Sequence, residues 1–250
     1  MCLLAWAWQM DEHWPLVLLG NRDERHNRLT RPLHRWEGSS LVAGQDMEAG
    51  GTWLGIAGAG RLAALTNVRE PGRLAGKYSR GHLVMDFLTS SLSLDDYAHG
   101  VQGREQDYGG FNLVLREGDQ MVVISNRGRS YQVLKPGFYV LSNAALDTPW
   151  PKSLRLKELL QLHMAHVETD WLPWLSDTSQ APDELLPDTG VGLEWERFLS
   201  ASLIVSPGYG TRCSSLVRQG HKNQWEFREQ TWTADGHPQD ACRVERAWSV

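Results

Sequence analysis

A chain of 250 residues with 41% hydrophobic and 22% charged side chains is long enough to bury one large core and too apolar for intrinsic disorder. Its formal net charge of -5 gives no general attraction to phosphate backbones or anionic lipid, which excludes nucleic acid as a first partner. The opening apolar run, Cys2 to Trp8, is too short to span a membrane and lacks the basic flank and cleavage site of an export signal. The three cysteines, Cys2, Cys213 and Cys242, include no Cys-x-x-Cys pair, so a reducing, cytoplasmic compartment is expected rather than a disulfide framework. We read residues 1–250 as one domain without a membrane span.

In chain order, residues 3–8 and 16–19 read as strands buried on both faces, because each is a continuous apolar run. Asp11-Glu12-His13-Trp14-Pro15 carries the turn chemistry between them. A hairpin symmetric about that turn pairs residues whose numbers sum to about 25, which sets Asp23 beside Cys2. Residues 52–57 and 61–68 form a second strand pair around Gly58-Ala59-Gly60. Helices are predicted over 79–90 and 94–101, each with an N-terminal serine as cap. A strand meander follows at 111–115, 121–125, 131–134 and 138–141. The stripe Leu156, Leu159, Leu160, His163 and Met164 predicts a helix over 154–167, with Pro151 near its start. Prolines 173, 182 and 187 predict short helical turns around a mobile loop over 170–192, and 202–205, 214–219 and 224–232 return to strand patterning.

Strands outnumber helices, and many strands are apolar on consecutive residues, so a sheet needs cover on both faces. Two stacked antiparallel sheets with helices outside, an α+β four-layer αββα sandwich, satisfies that demand.

Cys2 is the first chemical candidate. Its side chain is small enough to allow removal of Met1, which leaves a thiol and an α-amine on one residue, and the amine can act as base for the thiol. The competing reading is a small hydrophobe in an apolar strand. Asn21-Arg22-Asp23-Glu24 is a polar run directly after the second strand, where Arg22 can hold a thiolate and Asp23 can accept a hydrogen bond from the amine; a solvated turn with an internal ion pair is the plainer reading. Asn67 and Asn143 end strands and can donate side-chain amides to an oxyanion, although Asn is common in turns. Tyr209-Gly210-Thr211-Arg212 offers a second guanidinium suited to a carboxylate or a polarised carbonyl. The glycines of Gly50-Gly51-Thr52-Trp53-Leu54-Gly55 permit close backbone approach. Among twelve tryptophans, Trp6, Trp8, Trp36, Trp53 and Trp150 are candidates to line an apolar pocket. The histidines show no metal-ligand spacing, so no metal is assigned.

Met1-Cys2, Asn21-Arg22-Asp23-Glu24, Gly50-Gly51-Thr52-Trp53-Leu54-Gly55, Leu62-Ala63-Ala64-Leu65-Thr66-Asn67, Gly110-Phe111-Asn112-Leu113, Leu141-Ser142-Asn143-Ala144 with Thr148-Pro149-Trp150, and Tyr209-Gly210-Thr211-Arg212 resemble, in order and over nearly the whole chain, the NRDE family, which includes the transport and Golgi organisation 2 proteins. That family is similar to the N-terminal-nucleophile (Ntn) hydrolases of the penicillin V acylase and bile-salt hydrolase type, which implies the same αββα sandwich. The resemblance implies Cys2 as nucleophile and base, Asp23 as partner of its amine, Arg22 as thiolate stabiliser, Asn67 and Asn143 as supports of the tetrahedral intermediate, and Arg212 as organiser. The acylases carry Arg-Asn-x-Asp after the second strand, whereas Arg22 and Asp23 are adjacent here and point to different faces of a regular strand. Three functions follow: hydrolysis of a small amide through an acyl-enzyme, with no cofactor required; binding and trafficking of haem or an acyl-CoA or lipid ligand without catalysis, as eukaryotic relatives imply; and a structural interaction module.

Overall fold

The computed structural model describes residues 2–72, 76–220 and 224–248; Met1, whose removal the sequence predicts, lies outside them. The apolar opening forms β1 (Cys2–Trp8) and β2 (Leu16–Arg25). The second strand is longer than the apolar run predicts and carries Asn21-Arg22-Asp23-Glu24 inside it, because a late strand, β12 (Tyr209–Gln219), pairs with it as far as Arg25. Backbone hydrogen bonding from a distant partner thus extends the strand through polar residues. For the same reason Tyr209-Gly210-Thr211-Arg212 lies within a strand rather than before one.

Two strands with little apolar sequence, β3 (Thr30–Arg35) and β4 (Val42–Asp46, apolar only at Val42-Ala43), escape the sequence reading; β3 is an edge strand that tolerates Pro32. They lead into β5 (Leu54–Ala57) and β6 (Arg61–Asn67). The predicted helices are α1 (Gly81–Thr89) and α2 (Leu94–Gln102). Ser93 caps α2 by accepting the Asp96 N–H at 3.1 Å, whereas the N-cap position of α1 is Arg80, with no side-chain cap.

The predicted meander divides. β7 (Phe111–Glu117), β8 (Gln120–Ser125) and β9 (Tyr131–Val133) stay together, while β10 (Gly137–Leu141) crosses to pair with β1 in the other sheet. Next come α3 (Pro151–His163) and α4 (Val167–Leu175), which continues through Pro173, then α5 (Leu193–Ser200), an unpredicted helix at the end of the proline-rich stretch. The chain closes with the two-residue β11 (Val205–Ser206), β12, β13 (Gln224–Thr231) and an unpredicted β14 (Arg243–Trp248).

One sheet runs β10-β1-β2-β12-β13-β14 with β11 beside β12; the other runs β3-β4-β5-β6-β7-β8-β9. All pairings are antiparallel. An inter-sheet core of Leu4, Trp6, Trp8, Leu18, Leu54 and Val114 holds them face to face. Leu83, Val84 and Phe87 of α1 cover the second sheet, and Leu156 and Leu160 of α3 cover the first. The predicted four layers are therefore present, and each strand buried on both faces is a strand covered on both faces.

Glycine fixes one contact that matters for the site. A Cβ on Gly51 would fall 2.5 Å from the backbone carbon of Gly81, so only glycine lets the loop before β5 seat against the start of α1, next to Arg80. Gly100, inside α2, has nothing within 4 Å. Replacing Gly51 by Ala should cost about 1–3 kcal/mol through overpacking, whereas Gly100→Ala should stabilise by about 0.5–1 kcal/mol by helix propensity; urea midpoints of the two variants should move in opposite directions.

Candidate active site at the start of the first strand

Alternation along β1 sends Cys2, Leu4, Trp6 and Trp8 to the inter-sheet core and Leu3, Ala5 and Ala7 toward the helices. On β2, Leu16 and Leu18 face inward while Val17 and Leu19 face the helices. Continuing the period of two places Arg22 on the thiol's face and Asp23 on the helix face. The hairpin register pairs Cys2 with Arg22, one residue away from the predicted Asp23. On the far side of β2, Arg22 pairs with Cys213 of β12. A thiol, a guanidinium and a second thiol thus stand in one row across three strands. Two strand spacings put the outer Cα atoms about 10 Å apart, beyond disulfide reach, and all three cysteines are free.

The register of β12 against β2 shifts between Thr211 and Cys213. Arg212 is the extra residue of this bulge, and a bulge re-aims the side chain that it carries. Its Nη1 donates to the carbonyls of Arg25 at 2.9 Å and Arg28 at 3.0 Å.

These elements enclose a cavity of about 330 Å³ lined by Cys2, Arg22, Asp23, Asn67, Arg80 and Arg212, among others. Five of the six predicted site residues therefore meet. Asn143 does not line the cavity: it is buried, and its Nδ2 donates to the backbone carbonyl of Asn67 at 2.8 Å. Its neighbour Ser142 donates to the Cys2 carbonyl at 3.1 Å. The Asn67 side chain makes no hydrogen bond among the described residues, which leaves its amide open to a ligand. Of the five tryptophans named above, only Trp53 lines the cavity. Trp6 and Trp8 belong to the core, Trp36 stacks on His34, and Trp150 lies under the Arg69 guanidinium, 4.7 Å from ring centroid to Cζ. Among the described residues no cluster of His, Cys, Asp and Glu is arranged to hold a metal ion.

Burial dominates the electrostatics. It pushes the Cys2 thiol up to about 11, against the pull of Arg22. Burial also raises the Asp23 carboxyl above its ordinary value, opposed by the positive charge of Lys152 and by the Thr211 hydroxyl, which donates to Oδ1 at 2.8 Å. Lys152, at the start of α3, is buried with no hydrogen-bond partner for Nζ, and burial lowers it to about 8, while Asp23 acts in the other direction. Beside it Arg69 and Glu196 form a buried ion pair at 2.6 Å. Around Arg22, Asp46 lies 3.6 Å from Nη2 and accepts from Arg28 Nε at 2.7 Å. Although burial acts the other way, the hydrogen bonds from Arg28 and the Ala49 N–H hold Asp46 below the usual carboxylate value.

Lys152, Asp46 and Arg80 carry no signal in the sequence, and Thr211 is picked out there only as part of Tyr209-Gly210-Thr211-Arg212. A lysine after a helix-starting proline reads as solvated, and only the packing of α3 against β1 shows otherwise. The bulge that delivers Arg212 has no sequence signature of its own. The positive charges near Cys2 favour its thiolate, and burial opposes them more strongly. At neutral pH iodoacetamide should label the exposed Cys242 first; Cys2 should follow with a rate that rises about tenfold per pH unit up to about 11, and Cys213 should react last. Peptide mapping that found Cys2 labelled ahead of Cys242 at neutral pH would show that Arg22 outweighs burial.

Comparison with known proteins gives this arrangement its relatives. The chain is 37% identical over 225 residues to the transport and Golgi organization protein 2 homolog of Bos taurus, covering 81% of each chain. It is 34% identical over 240 residues to the Mus musculus homolog, covering 86% of each. Among solved structures it is similar to the C2A mutant of conjugated bile acid hydrolase from Clostridium perfringens, with a TM-score of 0.53, 8% identity, and coverage of 99% of this chain and 92% of that one. The fold is thus that of the Ntn hydrolases. The sequence model of the family Transport and Golgi organisation 2 matches residues 1–234, and the chain belongs to that family.

Proposed function

We propose that the protein is an N-terminal cysteine amidohydrolase that cleaves a small, non-peptide amide through an acyl-enzyme. The observation that carries this reading is the convergence of Cys2, Arg22, Asp23 and Asn67, from three strands of two sheets, on one cavity. In this reading Met1 is removed and the Cys2 amine takes the proton of its own thiol as sulfur attacks the substrate carbonyl. Asn67 donates to the oxyanion. Arg22 stabilises the thiolate, and Asp23 holds the ammonium that results. That ammonium returns the proton to the leaving amine as the C–N bond breaks, and water, deprotonated by the same amine, then cleaves the thioester. Asn143 serves as a positioning residue, because its amide is spent on the Asn67 backbone, and Arg212 organises the rim.

The cavity supports a small substrate, since about 330 Å³ lies at the lower end of small-molecule sites. The free thiols support a reducing, cytoplasmic setting. Among the described residues no helix is long and apolar enough to cross a membrane. A second reading, binding of haem or an acyl ligand without turnover, is favoured by the burial that pushes the Cys2 thiol up to about 11. Cys2 and Cys213 would be the sulfur groups facing such a ligand.

Intact-mass measurement of untagged protein should show loss of Met1 and a chain beginning at Cys2; retention of Met1 in most molecules overturns the self-activated nucleophile. Against a panel of acyl amides, Cys2→Ala should abolish turnover and trap no acyl-enzyme, and Asn67→Ala should lower kcat by about 10²–10³-fold. An absorbance titration with haem run beside the panel separates the readings: saturable haem binding with no amide turned over by wild type selects the second.

A further inference from the structure

The cavity wall is crowded with charge, and the charges do not balance locally. Among its carboxylates, Asp46 is taken by Arg28 at 2.7 Å and Arg22 at 3.6 Å. Glu24 lies 3.8 Å from Arg28 and 3.9 Å from Arg25, and Asp240 lies 3.9 Å from Arg243. Glu229 accepts from the Leu33 N–H at 2.7 Å, and burial shifts both it and Asp23 toward their neutral forms.

Two cavity guanidiniums remain. Arg80 donates Nη1 to the Gly110 carbonyl at 2.9 Å, and Arg212 donates Nη1 to the carbonyls of Arg25 and Arg28. Neither forms an ion pair among the described residues. Backbone carbonyls fix both heads in place yet neutralise neither, and most of their N–H donors stay unused. They reach the cavity from opposite sheets, Arg80 from the start of α1 on the β3–β9 sheet and Arg212 from the bulge of β12. A guanidinium pre-positioned in this way, partly desolvated and without a counter-ion, is suited to a carboxylate or phosphoryl group.

We infer that the cavity holds an anionic ligand, with Arg80 and Arg212 as the counter-charges for a carboxylate or phosphoryl group carried by the same molecule whose amide lies at Cys2. The inference rests on the amide-binding reading of the cavity but not on turnover. It names a substrate class that overall charge does not suggest, because a chain of net charge -5 repels anions at long range, whereas Arg80 and Arg212 leave two uncompensated positive charges on the cavity wall.

The test is equilibrium binding to Cys2→Ala protein, which removes the chemical step. The probes are N-octanoylglycine, N-octanoyl-O-phosphoethanolamine and the uncharged methyl ester of N-octanoylglycine, followed by calorimetry. The expected result is that at least one anionic probe binds about tenfold to a hundredfold more tightly than the ester, the size of a charge-assisted contact. That ratio should collapse toward one when Arg80→Gln and Arg212→Gln are added together. Preference between the first two probes identifies carboxylate or phosphoryl as the group held. Should the added substitutions prevent folding, the ratio in Cys2→Ala protein between about 0.05 M and about 0.5 M salt carries the test, since screening of a genuine charge pair must shrink it. A ratio near one, a ratio that survives both Arg substitutions or the salt increase, or no binding of either anionic probe overturns the inference. A retained ratio with no hydrolysis of any probe by wild type leaves the anion site standing and removes the catalytic reading alone.

Discussion

The pairing of β2 on both of its edges is the constraint from which the rest of the site follows. β1 on one side and β12 on the other both bring a cysteine opposite Arg22, and the period of two then decides what each neighbour can touch. Arg22 shares the thiol's face and the Asp46–Arg28 cluster. Asp23 is sent through the sheet to the helix layer, where it meets Thr211 and the charge of Lys152. Adjacent residues of opposite charge therefore serve two sides of one sheet. This is how the chain accommodates an Arg-Asp pair where the acylases it resembles space those residues apart.

Burial sets the chemistry as strongly as proximity does. At the end of the inter-sheet core, Cys2 is surrounded closely enough that desolvation outweighs the neighbouring guanidinium, so a thiolate needs help at the moment of attack. In the proposed hydrolase, a base on the same residue would supply that help without bringing another side chain into a crowded corner. Lys152 shows the same physics with the sign reversed: a buried ammonium without a hydrogen bond is lowered to about 8 and held by its attraction to Asp23. The two groups form a counterweight on the helix side of the sheet, and neither shows its burial in the local sequence.

The apolar runs were legible from the start because they answer to one force. Leu3 to Trp8 and Leu16 to Leu19 are hydrophobic on consecutive residues, which demands cover on both faces and leads directly to four layers. The hairpin register came within one residue because the intervening turn is short and roughly symmetric. Long-range hydrogen bonding was less legible. β3 is largely polar, the apolar part of β4 is only Val42-Ala43, and the extension of β2 through Asn21 to Arg25 depends on β12, about 190 residues away in sequence. The departure of β10 from its meander was hidden too, since Phe138 to Leu141 would suit either sheet. Of the site residues, Cys2, Arg22, Asp23, Asn67 and Arg212 stand out as polar groups next to or within apolar strands; Arg80 and Lys152, in ordinary helix starts, do not.

The crossing of β10 has one further implication. Ser142 grips the backbone of Cys2 in one sheet while Asn143 grips that of Asn67 in the other, so a single dipeptide spans the seam and sets the gap between thiol and amide. Any slide of one sheet over the other is read out there as a change of that gap. In the proposed hydrolase, damage to this dipeptide would abolish activity as thoroughly as loss of a reacting group, although neither side chain need meet a ligand. A loss-of-function scan would therefore not distinguish reagent from ruler, and Asn143 shows how a sequence signal can be strong for a residue whose task is measurement.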